Sequence, residues 1–174
     1  MVNESRIDTL IKQLSDKDGQ VREKARLTLV DIGKEATLPL ITILTARDQQ
    51  TRWEAAKTLV AISDPTAIPA LIQTMEDTIF EVRWLASEAL VGIGIDSIKP
   101  LLEKLRVCSD NLFMREEAHH VFKYVLRDHP KANELNEILK PVVHALEGSA
   151  PSVEVPGAAQ TALEKLSRLH NTAE

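Results

Sequence analysis

The stretch TRWEAAKTLVAIS (51–63) is one copy of a phrase that returns along the chain as VREKARLTLVDIG (21–33), VRWLASEALVGIG (82–94) and MREEAHHVFKYVL (114–126). Arginine at the second position of each copy sets the register: Arg22, Arg52, Arg83 and Arg115 are separated by 30, 31 and 32 residues. A period of that length marks a solenoid. Three positions after each arginine stands an alanine (Ala25, Ala55, Ala86, Ala118), then four further on Leu29, Leu59, Leu90 and Phe122, and three beyond those Ile32, Ile62, Ile93 and Val125. Steps of three and four put these residues on one stripe of an α-helix. The alanines let neighbouring backbones approach, and the larger residues fill the space between helices about 8–10 Å apart. With only 3% of the chain aromatic, the core is aliphatic.

A second helical pattern lies between the phrases: SRIDTLIKQLS (5–15), ATLPLITILTA (36–46), TAIPALIQTME (66–76) and DSIKPLLEKLR (96–106). Each repeat is therefore a helix pair. Pro39, Pro69 and Pro100 fall near the starts of these helices, where a missing N–H costs little. Gly33 and Gly94 stand where left-handed C-caps are expected, and Ser63-Asp64-Pro65 offers an N-cap beside a proline. The period loosens after residue 126. ANELNEILKPVVHALEG (132–148) reads as a helix and SAPSVEVPG (149–157) as a linker. Val155, Ala159, Leu163 and Leu166 then repeat the apolar positions, with Pro156 in place of the arginine, as in a terminal cap. The expectation is ten helices in five pairs, forming one domain over 1–174, with strong repeats at 5–126 and a degenerate one at 131–170.

Composition narrows the functional classes. No run approaches the roughly 18 apolar residues of a membrane span. The N-terminal MVNESRIDTL lacks a basic stretch followed by an apolar one, so a cytoplasmic location without membrane contact is expected. The single cysteine, Cys108, cannot close an internal disulfide and reads as an inert thiol. A net charge of −5 disfavours nucleic acid, whose recognition needs clustered lysine and arginine.

The pattern VRxxAxxALxxIG, paired with AxxxLxxxLxD, resembles the short HEAT repeats of the phycobilisome-lyase type over nearly the whole chain. The resemblance implies an all-α fold, a right-handed α-solenoid of about five HEAT-like helix pairs. Repeats of that family serve protein binding, bilin attachment or removal on phycobiliproteins and, in distant members, DNA repair or hydroxylation. A scaffold is implied more than an activity.

Acidic residues precede each arginine by four to six positions: Asp16 and Asp18 before Arg22, Asp48 before Arg52, Asp77 before Arg83, Asp110 before Arg115. A carboxylate there can cap the helix and meet a guanidinium of its own or the adjacent repeat. The expected structural ladder is Arg22, Arg52, Arg83 and Arg115 with Asp18, Asp48, Asp77 and Asp110.

The only two tryptophans, Trp53 and Trp84, each follow an arginine and so occupy equivalent positions. By resemblance the arginine-bearing helices line a concave face, and this position points into it. Paired indoles offer large apolar area and one N–H donor each, as binding hot spots do. The same face takes in Glu23, Lys24 and Leu27, then Glu54 and Lys57, Leu85 and Glu88, and Glu116, Glu117 and His120. An aromatic and apolar middle with carboxylates toward both ends suits a helix or loop carrying apolar and basic side chains. End repeats without good caps also leave room for self-association.

Glu116 and His120, four apart, share a helical face, but a metal site needs three or four ligands. His129, His144 and His170 show no helical spacing to the pair. No metal or cofactor is expected. There is no GxSxG elbow or glycine-rich phosphate loop, and Cys108 has no identifiable base. A non-enzymatic protein-binding scaffold is the expected function. A bilin lyase or chromophore-handling factor is the enzymatic alternative, and a nucleic-acid-binding HEAT protein the weakest reading.

Overall fold

The computed structural model describes residues 2–107, 110–127 and 132–171. Cys108 and His129 lie outside the described residues, as does the side chain of His170. Among the described residues ten α-helices follow one another: α1 (Val2–Gln13), α2 (Gly19–Ile32), α3 (Thr37–Ile43), α4 (Gln49–Ile62), α5 (Ile68–Thr74), α6 (Phe80–Ile93), α7 (Ile98–Val107), α8 (Leu112–Val125), α9 (Ala132–Glu147) and α10 (Pro151–Asn171). Short 3-10 turns, Gly33–Ala36, Pro65–Ala67 and Gly94–Ser97, lead into α3, α5 and α7, and no strand occurs among the described residues. The fold is an all-α solenoid. The chain divides into two compact units, Met1–Ile93 and Gly94–Glu174.

In the first unit the arginine-bearing helices form a row. Helix α2 packs on α4 and α4 on α6, while α1 lies against α2 and α3, α3 against α4, and α5 against α6. The periodic positions explain this layering. Ala25, Ala55 and Ala86 and Leu29, Leu59 and Leu90 are fully buried, and Ile32, Ile62 and Ile93 are half-buried at the edge. Each arginine-bearing helix has 14 residues with the arginine fourth. Side-chain caps start three of them: Asp18 accepts from the Gln20 N–H, Asp48 from the Thr51 N–H at 2.8 Å, and Asn111 from the Met114 N–H at 3.2 Å.

Of the two glycines expected as left-handed caps, Gly94 has φ 85° and Gly33 departs from the expectation. Ser63 takes the left-handed conformation at the end of α4 (φ 49°, ψ 43°), and Asp64 caps the following turn by accepting from the Thr66 N–H. Gly33 has φ 76° with ψ −138°, outside the left-handed helical region and open essentially to glycine alone. A Cβ built there would meet nothing within 4 Å, so the cost of Gly33→Ala is conformational. That substitution is expected to remove about 1–2 kcal/mol and lower Tm by about 3–6 °C. An unchanged melting curve in a calorimetric scan would contradict the strain assigned to this backbone.

In the second unit α7 packs on α8, α8 on α9, and α10 on both α9 and α7. The segment 149–157, expected to be a linker, is largely helical: α10 starts at Pro151 and runs through Pro156 and Gly157. Proline at a first helical position is well accommodated, since its missing N–H would have had no partner. The apolar stripe through Val155, Ala159, Ala162 and Leu166, all buried, carries the helix past the second proline. In the sequence the two prolines and the glycine read as punctuation, whereas this burial decides the conformation.

Candidate functional site

The arginines fasten the turns that precede their own helices. Arg22 Nη1 donates to the Asp16 carbonyl at 2.8 Å, Arg52 Nη1 to the Ala46 carbonyl at 2.9 Å, and Arg83 Nη1 to the Asp77 carbonyl at 2.9 Å. Each acceptor lies six residues upstream, and Arg22 and Arg52 also reach the next carbonyl, of Lys17 and Arg47. Guanidinium groups thus satisfy carbonyls of the turns that join paired helices, groups that lack a partner within either helix.

Carboxylates enter this pattern unevenly. Arg52 and Asp77 form a bidentate pair, Nε to Oδ2 at 2.6 Å and Nη2 to Oδ1 at 3.0 Å, linking one repeat to the next with both side chains largely buried. These hydrogen bonds to the Asp77 carboxylate raise the Arg52 pKa further. Asp18 and Asp48 are caps instead of rungs, because the cap geometry points their oxygens at helix-start amides. Hydrogen bonds from the Thr51 hydroxyl and N–H hold the Asp48 carboxyl below its ordinary pKa. Asp110 is exposed, and the neighbouring Asn111 takes the cap role at α8. Arg115 is half-buried.

Arg22 finds its carboxylate elsewhere. Its Nε donates to Glu54 Oε1 at 3.1 Å, while Arg26 Nε donates to Glu54 Oε2 at 3.2 Å and Gln50 Nε2 to Oε1 at 3.3 Å. Glu54, expected on the open face, is therefore a buried tie between α2 and α4. Leu85, expected there too, is buried at 6% exposure, and Glu117 in α8 is buried as well. The physical reason is angular. Adjacent residues differ by about 100° around a helix, so the position following each tryptophan turns inward. Only Lys24 in this row is exposed; it stands on α2, the first arginine-bearing helix. Arg26 is a site residue missed in the sequence, though its place one turn after Arg22 was the available signal.

The position just after the arginine behaves differently. Trp84 is 43% exposed and Trp53 half-buried, while Glu23 is exposed at the same helical position of α2. One turn further, Leu27 is 52% exposed, Lys57 half-buried and Glu88 half-buried. The Lys57 ammonium lies 4.3 Å from the Trp53 ring centroid, a cation–π contact within one helix turn. One turn before Trp84, Phe80 is 58% exposed and has the Arg83 guanidinium 5.7 Å from its ring.

In the second unit Glu116 is exposed, and His120 is half-buried with its ring 4.5 Å from that of Tyr124. His119 Nε2 lies 2.8 Å from Glu147 Oε1, joining α8 to α9, and His144 is exposed. No group of three or more His, Cys, Asp or Glu side chains among the described residues is arranged to hold a metal ion. An apolar groove of about 610 Å³ between α7, α9 and α10 is lined by Ile98, Leu135, Leu163 and Leu166, with Asp96 and Lys99 among its polar neighbours. Among the described residues no helix is long and apolar enough to cross a membrane.

Paired helices, with an arginine-fastened turn in each of the first three repeats, define a helical-repeat solenoid. A family model described as HEAT repeats matches residues 37–121, so this part of the chain is similar to HEAT repeats. A chain from the complex of CpcE and CpcF of phycocyanin lyase from Nostoc sp. PCC7120 is similar in structure, with TM-score 0.57 and 24% identity over 91% of this chain and 98% of that one. Two engineered proteins align with TM-scores of 0.42 and 0.41, each at 22% identity, over 96% and 92% of this chain and 81% and 47% of theirs. Among curated proteins no sequence matches.

Proposed function

We propose that this chain is a non-enzymatic scaffold, working in the cytoplasm, that docks a segment of another protein on the exposed face of α2, α4 and α6. The observation that carries it is Trp84. A tryptophan left 43% exposed, at the same helical position as the half-buried Trp53, is costly surface to leave in water and effective surface to bury against a partner. Phe80 and Leu27 add exposed apolar area on these helices. Glu23 and Glu88 supply the negative charge that suits a helix or loop with apolar and basic side chains.

The test compares wild type with Trp53→Ala/Trp84→Ala in affinity capture from the native source, both checked for equal helicity. Partners are expected to disappear selectively from the double variant. An identical set of captured proteins would refute the tryptophan face as the docking surface.

A second reading, chromophore handling on phycobiliproteins, draws on the likeness to the phycocyanin lyase chain. There the tryptophans would stack on a tetrapyrrole, and a bilin titration followed by absorbance would show a saturable, tryptophan-dependent shift. Nucleic-acid binding is the weakest reading, given the net charge of −5.

A further inference from the structure

The apolar groove of the second unit lies apart from the docking face. Helix α10 packs on both α7 and α9, and the groove of about 610 Å³ opens where the three meet. Ile98 of α7, Leu135 of α9 and Leu163 and Leu166 of α10 form its apolar walls. Its volume falls within the roughly 300–1,000 Å³ of small-molecule sites, which combine an apolar lining with a few placed polar groups. Here the polar groups are Asp96, Lys99 and Ser167, all exposed. The Ser167 hydroxyl donates to the Glu164 carbonyl of its own helix. Asp96 and Lys99, by contrast, make no ion pair or side-chain hydrogen bond among the described residues, with each other or with any neighbour.

We infer that this groove binds a single-chain aliphatic amphiphile with a zwitterionic head: the chain lies against Ile98, Leu135, Leu163 and Leu166, and the head's anion and cation meet Lys99 and Asp96. Removing the chain from water is the driving term, and it grows with every methylene buried. The lining separates this ligand from two others. Among the described residues that line the groove none is aromatic, so a flat conjugated ring would find no stacking partner. A peptide would bring an N–H and a C=O with every residue, whereas the polar side chains stand only at the exposed edge. Against Ile98, Leu135 and Leu163 those peptide groups would lose water without replacement. An alkyl chain carries no such groups. The head follows from the two charges, three residues apart and opposite in sign. A purely anionic head would meet Lys99 with Asp96 opposing it, and a purely cationic head the reverse. A head with both charges is attracted by both side chains.

The probe is dodecylphosphocholine below its micelle concentration, added to the full chain carrying carbon-13 in its isoleucine and leucine methyl groups. The methyl signals of Ile98, Leu135 and Leu163 are expected to shift together and saturably. Octylphosphocholine should bind about tenfold more weakly or worse, because it buries four fewer methylenes. Dodecanoate, which presents the anion alone, should bind severalfold more weakly than dodecylphosphocholine. Lys99→Ala and Asp96→Asn remove charges that hold nothing within the chain, so Tm should stay unchanged in both. Each should weaken dodecylphosphocholine about two- to fivefold, the range of exposed charge pairs, while Asp96→Asn strengthens dodecanoate. Ser167→Trp fills the groove from an exposed position and should block every probe without loss of helicity. Shifts confined to exposed leucines such as Leu38 and Leu112, with none at the groove, would mean indiscriminate adsorption and overturn the inference. Equal affinity for dodecanoate and dodecylphosphocholine, or binding indifferent to both Lys99→Ala and Asp96→Asn, overturns it as well.

Discussion

Arg52→Ala is expected to lower Tm by about 6–12 °C, corresponding to a loss of about 3 kcal/mol. The arginine serves two structural purposes at once. Its Nε and Nη2 hold Asp77 of the next repeat, and its Nη1 holds the carbonyls of Ala46 and Arg47 in the turn before α4. Removing it leaves the Asp77 carboxylate, only 10% exposed, without its cation, although the Ile79 N–H still donates to Oδ1. Breaking a buried ion pair on one side costs more than the pair contributes, because the surviving charge stays desolvated. The slight remaining exposure of both side chains keeps the loss below the upper end for fully sealed pairs. Arg52→Lys preserves charge but neither the fork of donors nor the simultaneous reach to the turn, so it should recover less than half the difference. Thermal unfolding followed by circular dichroism checks both variants. A Tm within about 1 °C of wild type for Arg52→Ala would mean that the bidentate geometry adds nothing to stability, as happens at exposed pairs.

The ease with which different parts of this architecture can be read from the sequence follows from the range of the forces involved. The rows Ala25–Ala55–Ala86 and Leu29–Leu59–Leu90 are visible because burial acts on every repeat alike and leaves a periodic trace. The arginines are visible for the same reason, but their main acceptors are not: a backbone carbonyl such as that of Ala46 has no residue type to betray it. Asp18 and Asp48 look like ion-pair partners in the sequence because a cap and a rung need the same carboxylate, and only geometry separates the two roles. On the candidate face, Trp53 and Trp84 could be placed by register, whereas Glu54 and Leu85 could not, since one residue's step turns a side chain from solvent to the neighbouring helix. Segment 151–157 was obscured by Pro151, Pro156 and Gly157, whose local preferences give way to the burial of Val155 and Ala159.

That inward step at Glu54 leads to the second large effect. Glu54→Ala should destabilise the chain by about 2–4 kcal/mol, because one carboxylate at 5% exposure serves Arg22 and Arg26 together. Both guanidinium groups are less than a fifth exposed, so neither regains full hydration when the glutamate goes. Glu54→Gln keeps one acceptor oxygen and the side-chain volume, and should lose roughly half as much. Glu54→Leu places at this position the residue that the next repeat carries at Leu85, yet it should be no better than alanine, since apolar volume cannot accept a hydrogen bond from either arginine. A double-mutant cycle with Arg22→Ala isolates the shared contribution: the pair should couple by about 1 kcal/mol or more, with the double variant less destabilised than the sum of the two. The same variants separate fold from function. At a temperature where Glu54→Gln remains folded, its capture of partners should equal that of wild type, because Glu54 is turned toward Arg22 and Arg26 of α2 and away from the exposed side of Trp84. Unchanged stability combined with lost partner capture would put Glu54 on the docking face and undo the angular assignment of the whole row.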